Sequence, residues 1–183
     1  MPITSRQLRD EDDYQALRAM LQRLHTAGGQ PDYCTIGDLD WWRYTHEDPE
    51  AIRQARLWLD DRGMVVGFAW PSGDHLDHVV DPDQRDLEAE MLTWAETQIR
   101  ASGQHTSMTA FANDGDTGRQ AQLQALGFER ADEAFRYWQR TLDHLPDTQL
   151  PGDYVIRNLR GEVDVAARVA AHRDAFAPSK MTE

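Results

Sequence analysis

A mixed α/β domain is the fold class this sequence predicts, and three observations predict it. Apolar residues fall into short strand-like runs and longer runs with the helical spacing of three and four. These runs succeed one another as strand, helix, helix, three strands, helix, strand, helix, two strands, an order that calls for a sheet with helices packed on it. The stretch at residues 75–100, HLDHVVDPDQRDLEAEMLTWAETQIR, passes straight from a strand into a helix.

Residues 2–8 form the opening strand. Asp10 begins a helix with acids in its first turn and Tyr14, Leu17, Leu21 and Leu24 along one face. Residues 25–34 are loop. Thr35 caps a shorter helix carrying Leu39, Trp42 and Tyr44, and Asp48-Pro49 ends it, because the residue before a proline disfavours the helical region. Residues 56–60 and 64–70 make a hairpin around Asp61-Arg62-Gly63. Pro71-Ser72-Gly73-Asp74 then turns the chain into a strand bearing Leu76, Val79 and Val80, which Pro82 stops by lacking a ladder N–H. In the next helix Leu87, Met91, Ala95 and Ile99 recur every four residues, and Gly103 closes it. Residues 105–112 are a strand with Met108 and Phe111 as core candidates. Asn113-Asp114-Gly115-Asp116 supplies a break and a cap for a helix ending at Leu126-Gly127. Phe128 opens two last strands, 128–132 and 135–142, and residues 143–152, with two prolines, form a linker.

At 183 residues the chain holds one domain with a full core and is too short for two ordinary ones. Its 40% hydrophobic content and six Trp predict a packed interior. A formal net charge of −13 argues against nucleic-acid and anionic-membrane partners; it is compatible with a cationic amine, and acidic solubility is the simpler account of it. Cys34 is the lone cysteine, so no intramolecular disulfide forms and a reducing compartment is expected. The N-terminus has no signal-peptide core and no run reaches membrane-spanning length, so a cytoplasmic protein is expected.

The strand-to-helix turn is where chemistry is expected. A helix start offers free backbone N–H groups and partial positive charge, the elements of a phosphate cradle. Asp81, Asp83, Asp86 and Glu88 crowd that turn against one Arg85. They stabilise a helix start by themselves and would also repel a phosphate, so two readings compete for one set of N–H groups. His75 and His78 point to opposite faces of a strand and cannot easily share an ion, so no metal is expected.

Val80-Asp81-Pro82, the Gln84-x-x-x-x-Ala89 turn, Met91-Leu92, Asn113 and Gly127-Phe128 together resemble the GNAT superfamily of CoA-dependent N-acetyltransferases. The resemblance spans residues 1–142 and implies an α/β (α+β) fold with a mixed, mostly antiparallel central sheet flanked by helices. It implies acetyl-CoA as cosubstrate and a small-molecule or peptide amine as acceptor. Val79 and Val80 would hold the pantetheine arm, and Gln84, Arg85, Leu87 and Ala89 the pyrophosphate. Asn113 matches a cofactor contact, although helix capping explains it equally well. Asp77 or His78 would take the amine proton, the other reading being a pair of solvated strand-edge side chains. Trp41-Trp42-Arg43-Tyr44 would lie where the family closes over its acceptor. Two positions depart from the pattern. Leu87 stands at the first Gly of Gln/Arg-x-x-Gly-x-Gly/Ala and restricts backbone approach to a phosphate. Leu123 stands where a Tyr, four residues before Gly-Phe, protonates the leaving thiolate. A degenerate, non-catalytic domain acting as a structural or regulatory packing partner is therefore the alternative.

One internal repeat remains. Arg6-Gln7-Leu8-Arg9-Asp10-Glu11-Asp12-Asp13 recurs as Arg157-Asn158-Leu159-Arg160-Gly161-Glu162-Val163-Asp164, with five of eight positions identical. Both copies precede an amphipathic helix, the second with Val165, Val169, His172 and Phe176. Residues 153–183 thus read as the first strand and helix of a second domain copy, a tandem arrangement whose second unit stops early. Covering Val165, Val169 and Phe176 would require docking on the domain's own surface or a homodimer through residues 153–183.

Overall fold

A computed structural model describes residues 2–28, 33–45, 51–132, 141, 143 and 149–177 of the chain. They fall into two compact units, Met1–Glu129 and Arg130–Glu183.

In the first unit the sheet is built in chain order. Strands β1 (Thr4–Gln7), β2 (Arg56–Leu59), β3 (Val65–Ser72), β4 (His75–Val80) and β5 (Thr109–Ala110) lie side by side in the order β1-β2-β3-β4-β5. The first three joints are antiparallel and the last is parallel. This is the mixed, mostly antiparallel sheet the sequence predicts. Helix α1 (Glu11–Ala27) starts at Asp10, whose carboxylate accepts the Asp13 N–H. At α2 (Ile36–Thr45) Thr35 and Asp38 bond reciprocally, Thr35 Oγ1 accepting the Asp38 N–H and Asp38 accepting the Thr35 N–H. Helix α3 (Glu88–Ser102) ends at Gly103, which adopts the left-handed conformation at φ 67°.

Alternation along the strands divides the core into two layers. Leu57, Phe68, Trp70 and Val79 face Tyr14, Leu17 and Leu21 of α1 and Leu39 of α2. On the opposite face Trp58, Ala69, Leu76 and Val80 pack with Met91, Leu92 and Ala95 of α3 and with Leu123 of α4 (Thr117–Ala125). Gly67 is required between them. A Cβ there would sit 2.2 Å from the Met91 methyl, so the strand has no side chain where α3 presses closest.

Several expectations need correction. Pro71 lies inside β3, opposite Leu76, because Gly73 at φ 62° lets two residues make the turn. The predicted helix after β4 begins as a separate 3-10 turn, Pro82–Leu87, with α3 starting only at Glu88. The strand expected at 105–112 is reduced to Thr109–Ala110, since β5 pairs with β4 only at His75/Thr109 and Leu76/Ala110. Phe111 is accordingly 46% exposed, resting on the His75 ring instead of in the core. Asp116, not Asn113, caps α4, its carboxylate accepting the Arg119 N–H. Residues 128–132 are irregular backbone, although Phe128 packs against the α3-side core. The partner strand expected at 135–142 lies outside the described residues apart from Thr141, as does Asp48-Pro49.

The second unit contains a 3-10 turn at Gly161–Asp164 leading into α5 (Val165–Ala175). Its eight-residue repeat is repeated in three dimensions. Arg6 and Arg9 both clasp the Asp13 carboxylate, and the Arg9 N–H adds a third donor at 2.9 Å. Arg157 and Arg160 clasp Asp164 in the same way, with the Arg160 N–H at 2.8 Å. Burial would raise the Asp13 carboxyl, but the two guanidiniums and the amide outweigh it and hold the group well below the usual carboxylate range. The Arg157 and Arg160 bonds hold Asp164 down likewise. The segment before the second clasp differs. Tyr154, Val155, Ile156 and Leu159 are 70%, 83%, 82% and 64% exposed, and no ladder pairs them.

Candidate functional site

The opening in the first unit lies at the β4–β5 joint. These strands pair only at their starts, so among the described residues no strand pairs with residues 77–80 of β4 on the β5 side. Three chain segments are bonded to one another beside that opening: the 3-10 turn Pro82–Leu87 with the start of α3, the connection from β5 through Asp116 to α4, and Tyr33 before α2.

Asp77 and His78 lie on opposite faces of β4. Asp77 stands opposite Trp70, on the layer shared with α1 and α2, and His75 Nε2 lies 3.3 Å from its carboxylate. Trp42 meets Trp70 edge-on at 6.0 Å between ring centres, so Trp42 and Trp70 share the Asp77 face. Trp41 points away and is 48% exposed. His78 stands opposite Ala69, on the α3 side, and is 4% exposed. The reading of these two as solvated strand-edge groups does not hold, since His78 is buried and Asp77 largely covered. Burial, reinforced by the Arg119 and Arg85 charges, holds the His78 imidazole well below its usual range, so it is neutral at neutral pH.

The turn expected to cradle phosphate is wound on itself. Asp83 N–H bonds Asp81 Oδ1, Gln84 N–H bonds Asp81 O, and Glu88 N–H bonds Arg85 O. Leu87 packs with the α3-side core. Val79 and Val80 point their side chains into opposite core layers. Asp81 N–H bonds Val66 O, so by alternation Val79 bonds Phe68 within the β3–β4 ladder and it is the Val80 backbone that turns toward the β5 side.

A charged network that the sequence did not reveal lies beside the turn. Glu88 is fully buried, and its Oε1 accepts two bonds from Arg119, at 3.0 and 2.7 Å. Arg85 makes a two-pronged contact with Asp116, at 3.0 and 2.8 Å. Burial would raise the Asp116 carboxyl, but Arg85, the Arg119 N–H and the Tyr33 hydroxyl together keep it below its ordinary value. Tyr33 donates its hydroxyl hydrogen to Asp116 at 2.9 Å and accepts the Asn113 N–H at 3.1 Å. Burial is the main reason that the Tyr33 phenol lies above its usual range. Leu123, at the position of the expected proton-donating Tyr, is buried in the α3-side core. Among the described residues no group of three or more His, Cys, Asp and Glu side chains could hold a metal ion. Cys34 is buried, and burial pushes its thiol far above the usual range, with the Asp38 and Asp77 charges adding to the rise. That argues against a nucleophilic thiol.

Comparison with known proteins defines the fold. No protein-family profile and no curated protein sequence matches the chain. Solved structures do. The aminoglycoside N-acetyltransferase AAC(6')-Iy in complex with CoA superposes with a TM-score of 0.52 at 20% identity, over 76% of this chain and 96% of that one. AAC(6')-Iy bound to a bisubstrate analogue, CoA-S-monomethyl-acetylneamine, gives 0.51 at 22% identity, over 77% and 100%. A predicted acetyltransferase of Clostridium acetobutylicum with acetyl-CoA gives 0.50 at 18% identity, over 74% and 96%. The chain thus has the α/β fold of GNAT acetyltransferases, a mostly antiparallel five-stranded sheet flanked by helices. No described helix is long and apolar enough to cross a membrane.

Proposed function

We propose that the first unit is an acetyl-CoA-dependent N-acetyltransferase acting on a small-molecule amine. The observation that carries this reading is the opening at β4–β5, where an unpaired strand edge runs directly toward the start of a helix. A strand edge can hydrogen-bond an amide-bearing chain, and a helix start can receive a phosphate. On that count the Val80 backbone would serve pantetheine, Val79 being bonded to β3, with the 84–89 turn (Gln84, Arg85, Leu87 and Ala89) for pyrophosphate and Asn113 across the opening. Acetyl-CoA would bring a thioester, an acyl group activated for attack by an amine.

The protein's part is to orient the amine and take its proton. Asp77 is the better-placed base of the two candidates, because its side chain keeps 17% exposure on the face that carries Trp42, whereas His78 is buried. His78, on the α3 side, is neutral and buried, and its role is to shape the wall there. The acceptor class is taken from the aminoglycoside enzymes that share the fold, and the acidic net charge suits a polyamine. The buried free Cys34 suits a reducing, cytoplasmic setting.

Acetyl-CoA-dependent thiol release, measured against a panel of amino sugars and simpler amines, tests the reading. Turnover that falls at least about a hundredfold in Asp77→Asn supports it. Calorimetry of the wild type and Leu87→Gly with acetyl-CoA separates the steps, since the substitution returns the flexible residue of the family pattern to the turn. No binding by either protein would favour the non-catalytic reading.

A second reading has its own observation. The self-bonded turn and the Glu88–Arg119 and Arg85–Asp116 pairs oppose phosphate entry, which favours a non-catalytic domain that packs against an active partner. Under either reading, the duplicated Arg–Asp clasp supports a tandem origin. Residues 153–183 then correspond to β1 and α1, with the apolar 154–159 segment as a strand available to a second copy of the chain. Sedimentation of the wild type beside Ile156→Asp tests that homodimer.

A further inference from the structure

Tyr33 belongs to one side of the sheet and is tied to the other. Its ring packs against the α1–α2 core layer. Its hydroxyl bonds the Asn113 N–H and the Asp116 carboxylate, on the far border of the opening where β4 and β5 part. The Arg119 guanidinium lies 3.6 Å from the Tyr33 ring centre, and the same guanidinium holds Glu88 at the first residue of α3. Arg85 closes the circuit on Asp116. A continuous chain of contacts, Glu88–Arg119–Tyr33–Asp116–Arg85, therefore runs between the segments that border the opening.

The same place holds an unusual concentration of incompletely bonded groups. Among the described residues His78 Nε2, Glu88 Oε2 and Gln122 Oε1 are buried without a hydrogen-bond partner. Glu88 Oε2 has only an ion-pair contact with Arg85, at 3.3 Å. Arg85 and Arg119 are the main charges acting on His78, and Gln122 Nε2 reaches Arg85 O at 3.4 Å. Each is a buried polar atom that a water or a ligand group could satisfy. The groups now bonded to one another are those a pantetheine-phosphate chain would use. The Asn113 N–H could donate to an amide carbonyl, and Arg85 and Arg119 could receive phosphate oxygens in place of carboxylates.

We propose that Tyr33 is an autoinhibitory latch: its bonds to Asn113 and Asp116, with its stack on Arg119, hold the β4–β5 opening shut, and an acyl-CoA enters only when Tyr33 lets go. The proposal rests on the acetyl-CoA reading above. The closed arrangement lowers apparent affinity by the fraction of molecules in which the latch is open. Releasing it has two signatures, tighter cofactor binding and loss of protection at the Asn113 amide.

The test is calorimetric titration of the full chain and its Tyr33→Phe and Tyr33→Ala variants with CoA, beside hydrogen exchange at Asn113. Tyr33→Phe keeps the ring and removes both hydroxyl bonds, so it serves if Tyr33→Ala folds poorly. The expected result is that CoA binds Tyr33→Phe more tightly than wild type and Tyr33→Ala at least about tenfold more tightly, with faster Asn113 exchange in both. Measurable wild-type binding that both variants match or weaken overturns the latch and leaves the acetyl-CoA reading standing. Silence from all three proteins, with Asn113 exchange accelerated, overturns both, because an opened slot that still takes no CoA is not a CoA slot.

Discussion

His78 gives the first unit a built-in sensitivity to acid. The imidazole is fully buried beside Arg119 and Arg85, and its Nε2 has no partner, so protonating it in place would put a third cation against two others. The unfolded chain has no such obstacle and protonates His78 around the ordinary value of 6.5. The sign follows: below that value the unfolded state binds more protons, and stability falls as pH falls. While the folded imidazole stays neutral, each pH unit below 6.5 costs about 1.4 kcal/mol, so the loss between pH 6.5 and 5 approaches a ceiling of about 2 kcal/mol. His78→Leu should remove this component, because Leu is of similar size and leaves no polar atom unpaired. Urea unfolding at pH 7.5, 6.5 and 5, followed by Trp fluorescence, measures it, and the variant should show the shallower pH dependence. Equal pH dependence in the two proteins would refute the argument, as would a native-state NMR titration placing the His78 midpoint near 6.5.

Two further substitutions test the charge networks. Arg119→Met leaves the Glu88 carboxylate buried without its main partner and should destabilise the first unit by about 3–5 kcal/mol, read by chemical denaturation. Adding Glu88→Met should recover much of that loss, and a double variant no better than the single would show that the pair is not coupled. Asp13→Asn removes the anion from the first clasp and should cost about 2 kcal/mol at neutral pH. Because the folded Asp13 carboxyl lies below its ordinary value of 3.8, the wild-type advantage should be complete above that value and fade as pH falls. Asp164→Asn should speed amide exchange at Arg160 as Asp13→Asn does at Arg9. A change at one amide without the other would count against the equivalence of the two clasps.

Local signals were legible in the sequence because each is carried by residues close together. Asp10, Thr35 and Gly103 mark helix ends through bonds spanning a few positions, and the hairpin of β2 and β3 needs only its alternation and a glycine turn. The repeat was legible for the same reason, since the clasp links residues seven apart. The site was less so. Glu88 reads as one more acid in a charged helix start, and only the fold brings Arg119, thirty-one positions on, to its carboxylate. Tyr33 sits in a stretch that reads as loop, eighty residues from the amide it bonds. The truncation of β5 was equally hidden, because the 105–112 pattern is a good strand until the geometry of β4 withdraws its partner. The Trp42–Trp70 pair stood in between: its residues were visible, but their shared face with Asp77 required the β3–β4 register.

The sheet order matches the chain order, and this has a consequence for assembly. From β2 through β4 the joints are short hairpins, so that part of the sheet can grow by short-range closure, whereas β1 meets β2 only across α1 and α2. Such topologies fold readily because little loop entropy is lost at each step. The β4–β5 joint breaks the pattern. It is parallel, must wait for the whole of α3 to cross over, and then secures only two residue pairs. It is thus the seam held by the fewest residue pairs, and the lowest-energy excursions of the native state should begin there. The edge of the sheet with the fewest pairs to lose is the edge an acyl chain would have to part.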